Sequence, residues 1–532
     1  MPTPVSARPF APLLAVAFAA GAATMTVELA AVRLLAPWYG TSSAVWTNVI
    51  GVVLVALSLG YLLGARISAG PEPRRALGYA LVAAGAASAW LPALARPCAR
   101  LFLPDGLTLE EAGPALRWGS LAAASLLFAP PALALGTIAP LVAECAQRAR
   151  ALTAGSATGR VLCASTIGSL AGTFGTTYLF VPHAGLSATY VGAGVVLVAS
   201  GLPFLLAARS RGIAAAATIV AGAALGVARL EPPEPLPGER LLESRETPYQ
   251  SARVVEAGDG DERTRRLEVN ESLGSFQSVW QPRVGLLPEG YYYNAFALPA
   301  WWSEREGPWR VLVLGLGAGT AWRVLEGALP PGTTLESTGV EIDPGVVELG
   351  RRWLDLPPPG AAGRTVVADV DARAALHLVP PRFDQIVLDA YQNQMEIPPQ
   401  LASVEFFREA RAVLGHGAWM SVNVGAFGLD DPVLAAIAGT MAAGFEQRVL
   451  AVRVPFSRNV ALYARVDDVP PDPRSPAFQP ADGALARLAS AMALPGGSRW
   501  FDVPGVPPLT DDRNAIESLQ RASVDLAREG QP

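Results

Sequence analysis

The chain has no lysine: all 41 basic residues among its 532 are arginine. That excludes a P-loop Gly-Lys-Ser/Thr, a Schiff-base lysine and a lysine general base. Histidine is nearly lacking too, with only His183, His377 and His416, far apart in sequence. His-Glu-x-x-His zinc sites and Ser-His-Asp triads therefore have no local support. Cys98, Cys145 and Cys163 have neither zinc nor CxxC spacing, so no disulfide framework, structural zinc or other metal is expected. Charge is scarce at 16% of residues. Soluble domains run near ~25%, so part of the chain is not in water.

The charge that is present divides unevenly. Residues 1–229 carry 14 Arg against 6 acids, and residues 230–532 carry 27 Arg against 40 acids. A basic, apolar part and an acidic, ordinary part imply at least two domains. The acidic second part argues against nucleic acid as a partner.

Seven apolar stretches lie near 11–34, 44–65, 76–95, 118–143, 159–181, 185–207 and 212–228. A bilayer-crossing helix needs ~20 mostly apolar residues, so 1–229 reads as a polytopic transmembrane domain with the lipid bilayer as partner. Pro130-Pro131 predicts that the fourth stretch is kinked or broken. Gly60-Tyr-Leu-Leu-Gly64 and Gly168-Ser-Leu-Ala-Gly172 are spaced for close helix contact. Glu28 lies inside the first stretch, where a carboxylate is costly and often functional. Pairing with Arg33, or a proton and a hydrogen bond to a neighbouring helix, explains it without a function.

Arginines after the second, fourth and sixth stretches (Arg66, Arg74, Arg75; Arg148, Arg150, Arg160; Arg209, Arg211) put those loops in the cytoplasm. With seven spans the second part would then lie outside, whereas the chemistry below wants an intracellular cofactor. The expectation adopted is a multi-pass protein of the inner cell membrane with a cytoplasmic catalytic domain. The last stretch, mostly Ala and Gly, is the weakest span.

Residues 230–247, containing Glu-Pro-Pro-Glu-Pro-Leu-Pro-Gly, read as a stiff polar linker. Residues 248–300 predict a small β-hairpin subdomain with strands at 252–256 and 266–269. From 301 to 532, apolar runs at 310–314, 335–341, 365–368, 383–388, 418–424, 447–454 and 459–465 alternate with helical patterns. This predicts an α/β, Rossmann-like, doubly wound parallel sheet. Such sheets bind ligands beyond the carboxyl ends of their strands.

Four features fall at those ends. Gly315, Gly317 and Gly319 follow the first strand and let backbone approach a ligand beside a helix N-terminus; a loose dinucleotide fingerprint fits them equally well. Glu341, in Gly-Val-Glu-Ile-Asp-Pro, can accept both hydroxyls of a ribose. Asp371, in Asp-Val-Asp-Ala-Arg, can accept from an adenine amino group. Asp389 ends the fourth strand in Val-Leu-Asp-Ala-Tyr. Any one of the three acids serves equally well as a helix N-cap; the glycine turn and three acids in sequence order, each at a strand end, point to a site.

Val311–Thr320, Gly339–Glu348, Asp371–Leu376 and Phe383–Tyr391 resemble the spermidine synthase (polyamine aminopropyltransferase) family. Ile397–Phe407 is similar to its segment leading into the next helix, and Leu509-Thr-Asp-Asp-Arg-Asn514 to its C-terminal signature. Val27–Arg33 and Pro37-Trp-Tyr-Gly40 are similar to the membrane region of the membrane-fused branch. The resemblance implies transfer of an aminopropyl group from decarboxylated S-adenosylmethionine to a small-molecule amine. By the same resemblance Asp389 matches the catalytic aspartate, Glu341 the ribose ligand, Asp371 the adenine-side acid and Gln250 the cofactor-contacting glutamine. Gln277 and Tyr292 or Tyr293 fall where the family lines its substrate pocket.

The departures lie mostly on the amine side. Ala318 stands where the family usually has an acid, Gln392 replaces a second acid three residues after the catalytic one, and Tyr293-Asn294-Ala295 replaces Tyr-His-Glu. Each lost charged hydrogen bond is worth ~1.5–3 kcal/mol, which predicts poor putrescine binding or a different acceptor. Two alternatives stay open: a methyltransferase using intact S-adenosylmethionine, and a membrane carrier or sensor that binds cofactor without turnover. The oligomeric state, with a homo-oligomer among the partners allowed, is also open. Asp511-Asp512 are either caps or a metal pair, although no other ligand set supports a metal.

Overall fold

The computed structural model describes residues 11–39, 43–102, 109–150, 153–207, 222, 235–247, 249–269, 276–303, 307–380, 383–391, 397–472, 475, 483–503, 507–516, 518–520 and 523. The chain divides into two compact units. The first is Met1–Glu234 with Glu246–Gln250, and the second is Pro235–Arg245 with Ser251–Pro532.

The first unit is helical: α1 (Ala11–Tyr39), α2 (Ser43–Ser68), α3 (Pro73–Phe102), α4 (Leu109–Arg150), α5 (Ala154–Gly175), α6 (Val181–Ala184) and α7 (Leu186–Ala207). Among the described residues five helices are long and apolar enough to cross a membrane: α1, α2, α3, α4 and α7. The expected span at 159–181 is instead α5 followed by a π-helical turn at Thr176–Phe180. Arg160, Ser165, Thr166, Ser169, Thr173, Thr176 and Thr177 keep it too polar for that group. The expected span at 212–228 lies outside the described residues except for Gly222. Helix α4 runs unbroken through Pro130-Pro131, contrary to a break there. Phe128, Ala132 and Leu135 on either side are buried in the helical core, and such packing tolerates the two missing N–H groups.

The glycine spacings do what they predict. A Cβ on Gly60 would come within 2.3 Å of the Leu133 carbonyl of α4, and one on Gly168 within 2.0 Å of the Phe18 carbonyl of α1. Backbones therefore touch where side chains are lacking. Glu28 is half-buried on α1.

The second unit carries two sheets. The smaller has the order β1 (Glu239–Glu246), β2 (Ser251–Ala257), β3 (Thr264–Val269), β4 (Ser278–Trp280). Strand β1 occupies much of the segment expected to be linker. Its charged residues are held by ion pairs, Glu239 to Arg266 and Arg240 to Glu256. That is why a run so polar is nonetheless a strand.

The larger sheet contains β5 (Trp309–Leu314), β6 (Leu335–Glu341), β7 (Arg364–Ala368), β8 (Phe383–Leu388), β9 (Leu414–Gly425), β10 (Val449–Arg453), β11 (Asn459–Arg465) and β12 (Ser498–Phe501), in the order 12-10-11-9-8-5-6-7. Strands β7, β6, β5, β8 and β9 are parallel, as the alternating pattern predicts. Strands β11, β10 and β12 are antiparallel, which corrects the all-parallel expectation. The link from β10 to β11 is only five residues (454–458), enough for a hairpin and far too short for a crossover.

The helices are α8 (Leu298–Trp301), α9 (Thr320–Ala328), α10 (Pro344–Trp353), α11 (Ala372–Leu376), α12 (Val404–Val413), α13 (Pro432–Phe445) and α14 (Gly483–Ala493). Two of them start at Asp-Pro: Asp343 caps α10 and Asp431 caps α13, each accepting from the N–H two residues on.

Candidate active site at the carboxyl ends of β5, β6 and β8

Strand order reverses at β5, so a crevice opens beyond its carboxyl end with β6 on one side and β8 on the other. The turn after β5 is pinned from both sides. Val340 of β6 accepts from the Gly315 and Leu316 N–H groups at 3.0 and 2.9 Å, and Leu314 accepts from the Asp389 N–H at 2.9 Å.

Gly315, Gly317 and Gly319 have φ of 86°, 55° and 92°. A Cβ on Gly315 would lie 2.5 Å from the Asp389 carbonyl, one on Gly317 2.6 Å from Ser278 Oγ, and one on Gly319 2.7 Å from Leu356. Glycine is thus already required by the protein's own packing, before any ligand approaches. Ala318 is 1% exposed, packed with Val346 and Leu349, and its N–H donates to Ser278 Oγ at 2.8 Å. Its side chain is spent on that packing.

Glu341 is 8% exposed at the end of β6. Its Oε2 accepts from the Gly317 N–H at 2.7 Å and its Oε1 from the Asp343 N–H at 3.0 Å. Burial pushes its carboxyl up to about 7, although those bonds hold it down. Asp371 is the N-cap of α11: its Oδ1 accepts from Arg373 and Ala374 N–H groups at 2.8 and 3.2 Å. The cap uses one oxygen and leaves Oδ2 for a further donor.

Asp389 keeps part of its surface open. Oδ1 accepts from Asn423 Nδ2 at 2.9 Å, and Oδ2 from the Tyr292 hydroxyl at 3.1 Å. Burial pushes this carboxyl up to about 7, against the pull of both bonds. Two carboxyls pushed up by burial, at the ends of β6 and β8, make this end of the sheet the candidate reactive site.

The two candidate tyrosines part company. Tyr292 reaches Asp389, whereas Tyr293 is 2% exposed and gives its hydroxyl to the Gln277 carbonyl at 2.8 Å. Their rings stack at 4.2 Å, so Tyr293 supports Tyr292 rather than lining open space. Gln277 is half-buried beside them. Asn294, where the family has histidine, clamps the chain by bonding both the N–H and the carbonyl of Leu287. Gln392 lies outside the described residues. Gln250 clusters with the first unit and is tied to the Thr247 hydroxyl through its N–H.

Sequence reasoning missed Asn423 and Gln385. Gln385, wholly buried in β8, donates to the Phe296 carbonyl at 2.9 Å and so anchors the turn that carries Tyr292. The available signal was an amide inside each of two mostly apolar strands.

No family model matches the chain. Over 202 residues it is 33% identical to a probable polyamine aminopropyl transferase of Bifidobacterium longum, a match that spans 37% of this chain and 42% of that protein. It is 28% identical to the polyamine aminopropyltransferase of Mycobacterium tuberculosis over 97% of both chains. The chain is similar in sequence to the polyamine aminopropyltransferases. Among solved structures, a probable spermidine synthase from Corynebacterium glutamicum covers 51% of this chain and 96% of its own, at 21% identity and a TM-score of 0.41. The Mycobacterium match takes in both units.

Proposed function

We propose that the second unit transfers an aminopropyl group from decarboxylated S-adenosylmethionine to an amine, in a chain anchored in the cell membrane by its N-terminal helices with the catalytic unit in the cytoplasm. Its similarity to the polyamine aminopropyltransferases supports an enzyme of the aminopropyltransferase class. The observation that carries the mechanism is the Asp389 carboxylate, held through one oxygen by Asn423 and sharing the other with Tyr292.

When bound, the donor supplies a sulfonium whose propyl carbon takes the amine nitrogen while the broken C–S pair leaves on sulfur as methylthioadenosine. Glu341 is the residue that would hold the ribose hydroxyls, exchanging or sharing its Gly317 and Asp343 contacts, and Asp371 Oδ2 would take the adenine amino group. The acceptor must arrive as a free amine, although a lysine-like amine has a pKa near ~10 in water. Asp389 accepts its proton, and the low-polarity surroundings that raise the carboxyl also make the ammonium unfavourable. Tyr292 stays protonated and orients the carboxylate. Replacement of the usual acids by Gln392 and Ala295, and of the usual histidine by Asn294, favours an acceptor other than putrescine.

Incubation with both cofactor forms and a panel of amines, read by mass spectrometry, tests this. Methylthioadenosine is expected only with the decarboxylated form, and only when an amine is present. Methyl transfer from the intact form, or tenfold tighter binding of it by calorimetry, replaces this reading with a methyltransferase.

A further inference from the structure

Asp389 stands at the end of a chain of oriented amides. Asn423, in β9 and 3% exposed, donates its Nδ2 to Asp389 Oδ1 at 2.9 Å. Its own Oδ1 accepts from Asn459 Nδ2 at 2.9 Å. Asn459 Oδ1 in turn accepts from the Ser457 hydroxyl at 2.7 Å. The antiparallel register sets Asn459 opposite Gly425, so its side chain reaches Asn423 along the diagonal of the β9–β11 pair. The Asn423 backbone is fixed as well: its carbonyl accepts from the Tyr391 hydroxyl at 2.6 Å, and that hydroxyl accepts from the Gly425 N–H at 3.1 Å.

An amide has one donating and one accepting end, and alone it fits a site either way round. Here reversal of Asn423 would set its carbonyl against the carboxylate and its NH2 against that of Asn459, losing two hydrogen bonds at once. An apolar residue at 423 would fill the space without favouring either charge state of its neighbour. A carboxylic acid there would compete for the same proton.

We propose that Asn423 is a positioning residue for the transfer reaction, with Asn459 setting the direction of its amide, so that Asp389 Oδ1 is always occupied by a donor and Oδ2 is the edge offered to the acceptor amine. This inference rests on the function proposed above. It assigns a role to the antiparallel β9–β11 pair, where the sheet changes from parallel to antiparallel.

The test is the pH profile of kcat, followed by methylthioadenosine release from the full-length protein in detergent, with the decarboxylated donor and the best amine of the panel. Asn423→Ala is expected to lower kcat at neutral pH by about tenfold or more. It should also move the acidic limb upward by about one pH unit, because a donor to the anion is gone. Donor affinity by calorimetry should change less than about twofold, since Asn423 touches none of the groups assigned to the donor. Asn423→Asp, of the same shape, should move the limb further because two carboxyls then share a proton. Asn459→Ala should move it in the same direction by less.

An unmoved limb in Asn423→Ala, or wild-type turnover in Asn423→Asp, overturns the inference and leaves the function standing. If Asn423→Ala does not fold, Asn459→Ala carries the test, and an unmoved limb there overturns it equally. Wild-type protein that releases no methylthioadenosine with any amine overturns the functional reading itself, and the inference with it.

Discussion

The guanidinium of Arg373 meets both oxygens of Asp511, 138 residues further along the chain, at 2.7 and 2.8 Å. The same guanidinium takes both oxygens of Glu409 in α12, at 2.8 and 2.7 Å. Around it the Leu509 carbonyl accepts from the Val404 N–H at 2.8 Å, and Asn514 donates to the Pro399 carbonyl at 2.8 Å. Leu509–Asn514 is therefore a strap across the start of α12, and Asp511 is an ion-pair partner rather than a cap.

Arg373→Ala strands two carboxylates and should lower unfolding stability by about 2 kcal/mol. Asp511→Asn, on the more exposed side of the cluster, should cost less than about 1 kcal/mol. Denaturant titration of both variants checks the order; an equal or reversed pair of costs contradicts it.

In the proposed mechanism ionised Asp389 is the base and its carboxyl is pushed up to about 7, so turnover should fall about tenfold per pH unit below about 7. Asp389→Asn should lose at least about a hundredfold in kcat, with donor binding by calorimetry retained. Wild-type turnover in that variant removes Asp389 from the mechanism.

The same carboxyl opposes folding at alkaline pH. Its folded value lies above the ordinary 3.8, at about 7, so the protonated form is the one folding favours. Its stabilising contribution is complete below about pH 4 and is lost as pH rises through about 7. Asp389→Asn should therefore melt higher than wild type at pH 8, with a ceiling of about 4 kcal/mol, and match it at pH 4. A variant no more stable than wild type at pH 8 contradicts the assigned burial.

Tyr292→Phe and Tyr293→Phe should behave differently although the residues are adjacent. The first removes a donor from Asp389, so kcat should drop by about tenfold and its acidic limb should move up. The second leaves the Gln277 carbonyl without its partner and should cost about 1 kcal/mol of stability with the limb unmoved. Matching pH profiles for the two variants would refute the division.

The parallel half of the large sheet is legible because each strand is a short apolar run followed by a helix with its own start signal, such as Asp343-Pro344. The antiparallel half is not, because apolar runs at 447–454 and 459–465 look alike whichever way they pair; only the short link between them carries the direction. Strand β1 hides behind its charge, since Glu239 and Arg240 find partners only after folding. At the site, the acids are visible as acids at strand ends. The choice of Tyr292 over Tyr293, and the roles of Asn423 and Gln385, depend on which neighbour each hydroxyl or amide meets.

The second unit is not one continuous stretch of chain: it is left at Glu246 and rejoined at Ser251, with β1 before the excursion and β2 after it. A truncated fragment beginning at Ser251 would lose the outermost strand of the small sheet and bare the edge of β2, an invitation to self-association. One beginning at Pro235 keeps that strand but also carries five residues belonging to the other unit. A water-soluble version of the catalytic half therefore needs Glu246–Gln250 redesigned as a polar hairpin loop, not a cut at either end of it.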